Sequence, residues 1–158
     1  MPSVLFVCTA NRCRSPIAMT FLREKVKSLA SQDDWRVESA GAWADEGLPV
    51  LEGAQVVMEE RGFDLTTHRS RPLTGELLRS FQLILTMESG HKEALQIEFP
   101  DIARRVYLLS EMAGIVADIR DPVGKSLPQF REVAGDIESM VNTGFDRIVN
   151  LAQEGSKP

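Results

Sequence analysis

Cysteine is scarce in this chain: Cys8 and Cys13, five positions apart, are the only two in 158 residues. So few exclude the disulfide framework of a small secreted fold. No apolar run approaches the roughly eighteen residues that span a bilayer. The opening Met-Pro-Ser-Val-Leu-Phe-Val lacks the basic flank and apolar length of a secretory signal. Positive charge is not in excess either. The net charge is -5, which argues against nucleic acid as a partner, because phosphate-backbone binding calls for a basic surface. A small anion site is still allowed, since a few oriented donors overcome a mildly acidic background. Internal repeats, low-complexity segments and linkers are missing too. The expected protein is cytoplasmic, with neither membrane nor nucleic acid among its partners.

What is present is ordinary for a globular protein: 43% hydrophobic and 26% charged residues. A chain of this length buries about two-thirds of its unfolded surface, and one domain over residues 1–158 is the expectation.

Residues 3–7 are β-favouring without alternation, as in a strand buried on both faces. The run stops at Cys8, and Ser15-Pro16 opens a helix whose stripe is Ala18, Leu22, Val26 and Leu29. The pattern recurs. Trp35–Ser39 reads as a second strand, and Val50–Glu60 as a helix ended by Arg61-Gly62. Leu83–Thr86 is a third strand, Glu88–Ile97 helix-like, and Val106–Leu109 a fourth strand. Pro128 starts a last helix carrying Phe130, Val133, Ile137, Val141, Phe145, Ile148 and Val149 on one face, weakened at Gly135 and Gly144. The expected fold class is α/β: a doubly wound, four-stranded parallel sheet with helices on both faces. Ligands of such sheets bind beyond the strands' carboxyl ends, where strand order reverses. The loop after the first strand sits at such an end, and residues 40–49 and 110–128 are the long irregular stretches.

That loop carries the chemistry. Cys8-Thr9-Ala10-Asn11-Arg12-Cys13-Arg14-Ser15 closes onto a helix amino terminus, where inward-facing N–H groups make a nest for an anion. Arg14 adds a planar fork matching two phosphate oxygens. A thiol in such positive surroundings ionises readily, and the thiolate is a nucleophile that needs no dedicated base. The motif alone is weak, because Cys-x5-Arg-Ser arises by chance and a lone cysteine is usually a small buried hydrophobe. Its position in a strand-to-helix turn is what gives it weight.

The segment Val4–Met19 closely resembles the signature of the low-molecular-weight protein-tyrosine phosphatase family. The similarity continues through Trp35–Gly41, His68–Thr74, Leu83–Met87 and Asp121-Pro122, in order, over nearly the whole chain. The resemblance implies a two-step reaction without metal or other cofactor. Cys8 attacks phosphorus to form a phosphocysteine, and water then releases inorganic phosphate. Arg14 and the loop Thr9–Cys13 hold the phosphoryl oxygens. Asp121 is the implied acid and base, whereas nearby Asp118 lacks the following proline. Ser15 matches the hydroxyl that bonds the thiolate, and Asn11, Ser39 and His68 match positions that brace the loop. His91 has no such match and is expected to be a solvated helix residue. Cys13 matches a residue that in some relatives forms a reversible disulfide with the nucleophile; alternatively it packs behind the loop.

Substrates implied are a phosphorylated protein or a small aryl phosphate. Many tyrosine-specific relatives have an aromatic residue directly after Asp-Pro, where this chain has Val123-Gly124. Val123 is thus an expected pocket wall. Trp43 is a candidate for one aromatic wall, or it packs inward. A branch of the family acting on phosphoarginine typically has Thr at the position of Arg12; an inward Arg12 would repel the guanidinium of that substrate. Gly124 leans towards that branch, so the two cues conflict, and phosphotyrosine is placed first. Thioredoxin-coupled arsenate reductases share the fold and a similar loop but need further cysteines, which this chain lacks.

Overall fold

A computed structural model describes residues 1–29 and 34–155. Four strands, β1 (Ser3–Cys8), β2 (Arg36–Gly41), β3 (Leu83–Thr86) and β4 (Val106–Leu108), form one parallel sheet in the order β2-β1-β3-β4. Each of β1 and β3 is buried along its whole length, which explains why neither alternates in polarity. Successive side chains still face opposite ways. Val4, Phe6 and Cys8 enter one core with α1 (Arg14–Val26), whereas Leu5 and Val7 enter another with Leu78, Phe81, Leu95 and Ile102. Helices therefore cover both faces. Full burial of a side chain such as Phe6 or Leu5 contributes about 1.5–3 kcal/mol relative to exposure.

The helix α2 (Glu52–Glu59) ends as its sequence indicates: Gly62 takes a φ of +85°, and the Phe63 N–H closes onto Met58 O at 2.9 Å. Three short elements have no counterpart in the sequence pattern: α3 (Gly75–Arg79), a 3-10 helix over Pro100–Arg105, and α5 (Leu109–Met112). They span four to six residues, too few for periodicity to register. Between them lies α4 (Ser89–Glu98).

Two expectations need correcting. Leu109 is the first residue of α5 rather than the last of β4. The final helix is two helices, α6 (Leu127–Thr143) and α7 (Phe145–Gly155), divided at Gly144. Glycine is needed at that point for a steric reason. A Cβ at Gly144 would lie 2.6 Å from Met112 Cβ, so only glycine lets α5 approach this closely. Gly135, in contrast, sits inside a continuous α6, begun by a Ser126/Gln129 capping box.

The strand order places the site. The chain leaves β1 for β2 on one side, then returns to build β3 and β4 on the other. Loops after β1 and β3 diverge at that border, opening a crevice at the carboxyl ends. No helix among the described residues is long and apolar enough to cross a membrane.

Candidate active site

The loop between β1 and α1 is shaped around Asn11, the one non-glycine residue with positive φ (57°) among those described. Asparagine tolerates that conformation better than most residues. Fully buried, it has partners on every side. Its Nδ2 donates to Ser15 Oγ and Ser39 Oγ, both at 2.9 Å, and its Oδ1 accepts from the Arg71 N–H at 3.1 Å. Its carbonyl accepts from His68 Nε2 at 2.8 Å. Burial, followed in smaller part by the cations Arg23, Arg69 and Arg71, holds the His68 ring below its ordinary protonation range.

The loop's carbonyls are claimed from outside. Thr9 O accepts from the Trp43 N–H at 2.9 Å and Arg12 O from the Leu51 N–H at 2.8 Å, beside the Asn11–His68 contact. In a trans peptide the C=O and the following N–H point opposite ways. The amides of Ala10, Arg12 and Cys13 thus turn away from these outer partners, the arrangement an anion nest requires. Gly41 makes the close approach possible, since a Cβ there would lie 2.6 Å from Thr9 O.

Cys8 is buried, with Sγ 3.0 Å from Ser15 Oγ. Arg14 is only 1% exposed, and a charge so deep needs partners. NH1 donates to Ile119 O at 2.7 Å and pairs with Glu88 Oε2 at 3.1 Å. NH2 donates to Thr9 Oγ1 at 3.2 Å and pairs with Asp121 Oδ2 at 3.5 Å. Asp121 itself is held by the Val123 N–H, which donates to Oδ1 at 3.0 Å. Asp118 is occupied elsewhere: its carboxylate accepts from the Ser89 N–H at 2.8 Å, at the start of α4.

Cys8, Arg14 and Asp121 share a cavity of about 130 Å³ with Ala10, Arg12, Cys13, Leu51 and Val123. Arg12 is tethered at its edge, Nε donating to Pro49 O at 2.7 Å. Val123 is among the residues that line the cavity. Trp43 does not line it; the residue is 87% exposed, and its backbone N–H is what bonds to the loop. Cys13 is a buried free thiol, as is Cys8. Burial, with Cys8 and Asp121 nearby, pushes the Cys13 thiol far up.

Several participants escaped sequence reasoning. Glu88 and Leu51 carry no motif of their own. His91, expected in solvent, is 14% exposed in its side chain, with Nε2 3.0 Å from Thr9 Oγ1 and 3.5 Å from Glu88 Oε2. The available signal was spacing: residues 88 and 91 share one face of the helix start that follows β3.

Known proteins share this sequence pattern and fold. The family model for low molecular weight phosphotyrosine protein phosphatase matches residues 3–154. A Ralstonia nicotianae protein named "Probable low molecular weight protein-tyrosine-phosphatase EpsP" is 36% identical over 92% of this chain and 95% of its own. A protein-arginine-phosphatase of Geobacillus stearothermophilus is 34% identical over 88% of this chain and 90% of its own. The crystal structure of a low molecular weight protein tyrosine phosphatase from T. tengcongensis superposes with a TM-score of 0.86 at 34% identity, covering 93% of this chain and 99% of that one. The chain is a cysteine-dependent phosphatase and belongs to the low molecular weight phosphotyrosine protein phosphatase family.

Proposed function

We propose that this enzyme hydrolyses phosphotyrosine in proteins, and small aryl phosphates, with Cys8 as nucleophile, Arg14 as the phosphoryl-binding cation and Asp121 as acid and base. One observation carries the reading: Cys8 and Arg14, at the two ends of one loop, line a small cavity with Asp121, a residue more than a hundred positions away in the sequence. The Cys8 thiolate attacks phosphorus in line, the S–P bond forms, and the P–O bond to the ring breaks as Asp121 gives its proton to the leaving oxygen. Asp121, now a carboxylate, takes a proton from water. That water attacks phosphorus, the S–P bond breaks, and inorganic phosphate leaves. Arg14 and the loop amides stabilise the equatorial oxygens in both steps. The Ser15 hydroxyl supports the departing thiolate. The setting we infer is the cytoplasm.

Leu51 and Val123 offer apolar walls for a ring, and Arg12 at the cavity edge disfavours a cationic leaving group. The second reading, phosphoarginine, is favoured by the relative named a protein-arginine-phosphatase and by Gly124. The test is turnover of p-nitrophenyl phosphate in the presence of a chelator, then of matched phosphotyrosine and phosphoarginine peptides. Cys8→Ser is expected to abolish all of it. Full activity in that variant ends the nucleophile assignment, and a faster rate on phosphoarginine reverses the substrate order.

A further inference from the structure

Arg14 is gripped on two edges, and the second grip leads to a residue outside the reaction just described. On the Nη1 edge stand Glu88 and Ile119 O; on the Nη2 edge stand Thr9 Oγ1 and, at 3.5 Å, Asp121 Oδ2. Thr9 Oγ1 in turn lies 3.0 Å from His91 Nε2, so the hydroxyl is clamped between guanidinium and imidazole. The same imidazole nitrogen is 3.5 Å from Glu88 Oε2, which closes a ring of four side chains, Arg14, Thr9, His91 and Glu88, around one edge of the loop.

We propose that His91 is a positioning residue for the phosphoryl-binding arginine, acting through Thr9 to hold the Arg14 guanidinium in register with the loop. His91 Nδ1 is buried without a hydrogen-bond partner among the described residues. An orphaned polar atom is costly, so a residue serving only to fill space here would be apolar. The contact made by Nε2 is what the imidazole supplies. Burial first, and Arg14 as well, oppose protonation of this ring, while Glu88, Asp118 and Asp121 favour it; the net displacement is downward. A neutral ring leaves the Glu88 carboxylate to Arg14. The guanidinium, with Arg12 the only cation lining the cavity among the described residues, is thereby aligned before substrate arrives.

The inference rests on Arg14 holding the phosphoryl group, so the experiment separates the two. Steady-state kinetics on p-nitrophenyl phosphate and the inhibition constant of inorganic phosphate are measured for wild type, His91→Phe, His91→Gln, Thr9→Val, the His91→Phe/Thr9→Val double variant, and Arg14→Lys. Circular dichroism and thermal midpoints identify the folded variants. His91→Phe is expected to lower kcat about tenfold and to weaken phosphate inhibition about tenfold, the range of one hydrogen bond to a charged network. His91→Gln, whose amide still reaches a hydroxyl, should recover most of both. The double variant should be no worse than Thr9→Val alone, because the two act in series. A folded His91→Phe with wild-type kcat and phosphate inhibition overturns the proposal, as do additive losses in the double variant. Unchanged turnover in Arg14→Lys overturns it together with the catalytic role of Arg14.

Discussion

Ser15 Oγ lies 3.0 Å from Cys8 Sγ while accepting from Asn11 Nδ2 at 2.9 Å. With Asn11 supplying a donor to its oxygen, the hydroxyl proton is free for the sulfur. In the proposed mechanism such a bond favours the thiolate both as attacking group and as leaving group, and departure from phosphorus is where it is most needed.

Ser15→Ala should therefore slow hydrolysis of the phosphocysteine more than its formation. A hydrogen bond to a charged group is worth about 1.5–3 kcal/mol, or roughly 10–100-fold in rate. Rapid-mixing assays should show a burst of p-nitrophenol followed by slow turnover. A variant that turns over slowly with no burst contradicts this role.

Asp121 and Asp118 should separate cleanly. Asp121→Asn is expected to lower kcat by about 10²–10⁴-fold, the range of a lost general acid, while inorganic phosphate still binds. Asp118→Asn should keep its kcat but lose about 1 kcal/mol of stability, because its carboxylate accepts from the N–H and hydroxyl of Ser89, the first residue of α4. Urea unfolding and kinetics on both proteins give the answer, and exchanged phenotypes would refute the assignment.

Gly41 lies at the end of β2, yet its substitution should read out in catalysis. In Gly41→Ala the new Cβ meets Thr9 O at 2.6 Å and Ala44 Cβ at 2.7 Å, so backbone must shift. Displacing the phosphate loop by about 1 Å costs on the order of 10² in kcat/KM. Retention of wild-type kcat/KM in a folded Gly41→Ala would show that the loop tolerates the strain elsewhere.

His68 makes stability depend on pH. Its folded protonation range is lowered from the ordinary 6.5, so the unfolded chain takes up the proton first as pH falls. Stability is then fully present above about pH 6.5 and declines below it, until the folded ring is also protonated. His91, lowered for similar reasons, adds to the same slope. The urea midpoint of wild type should fall between pH 7 and pH 5, and less steeply for His68→Gln. Parallel curves would show that His68 contributes nothing to it.

The contiguous unit from Ser3 to Val26 was legible because strand, anion loop and helix follow one another without interruption. The same holds for β3, buried on both faces, and for the end of α2 at Gly62. Trp43 shows where reading failed: an aromatic residue in a long loop offers no clue to whether its ring or only its backbone faces the site. Gly135 and Gly144 look alike in the sequence as weak points of one helix, and what tells them apart is Met112, a residue of another element packed against Gly144.

By itself, the sequence determined the parallel sheet and the family, and it pointed to the proposed nucleophile and the loop around it. Each of these is written in neighbouring residues or in a repeated strand–helix pattern. Only the tertiary structure decided what surrounds Arg14. Glu88, Ile119 and Asp121 come from loops after β3 and α5, and His91, reached through Thr9, comes from α4. A buried guanidinium needs several partners at once, and it draws them from whichever strand ends the sheet order brings together.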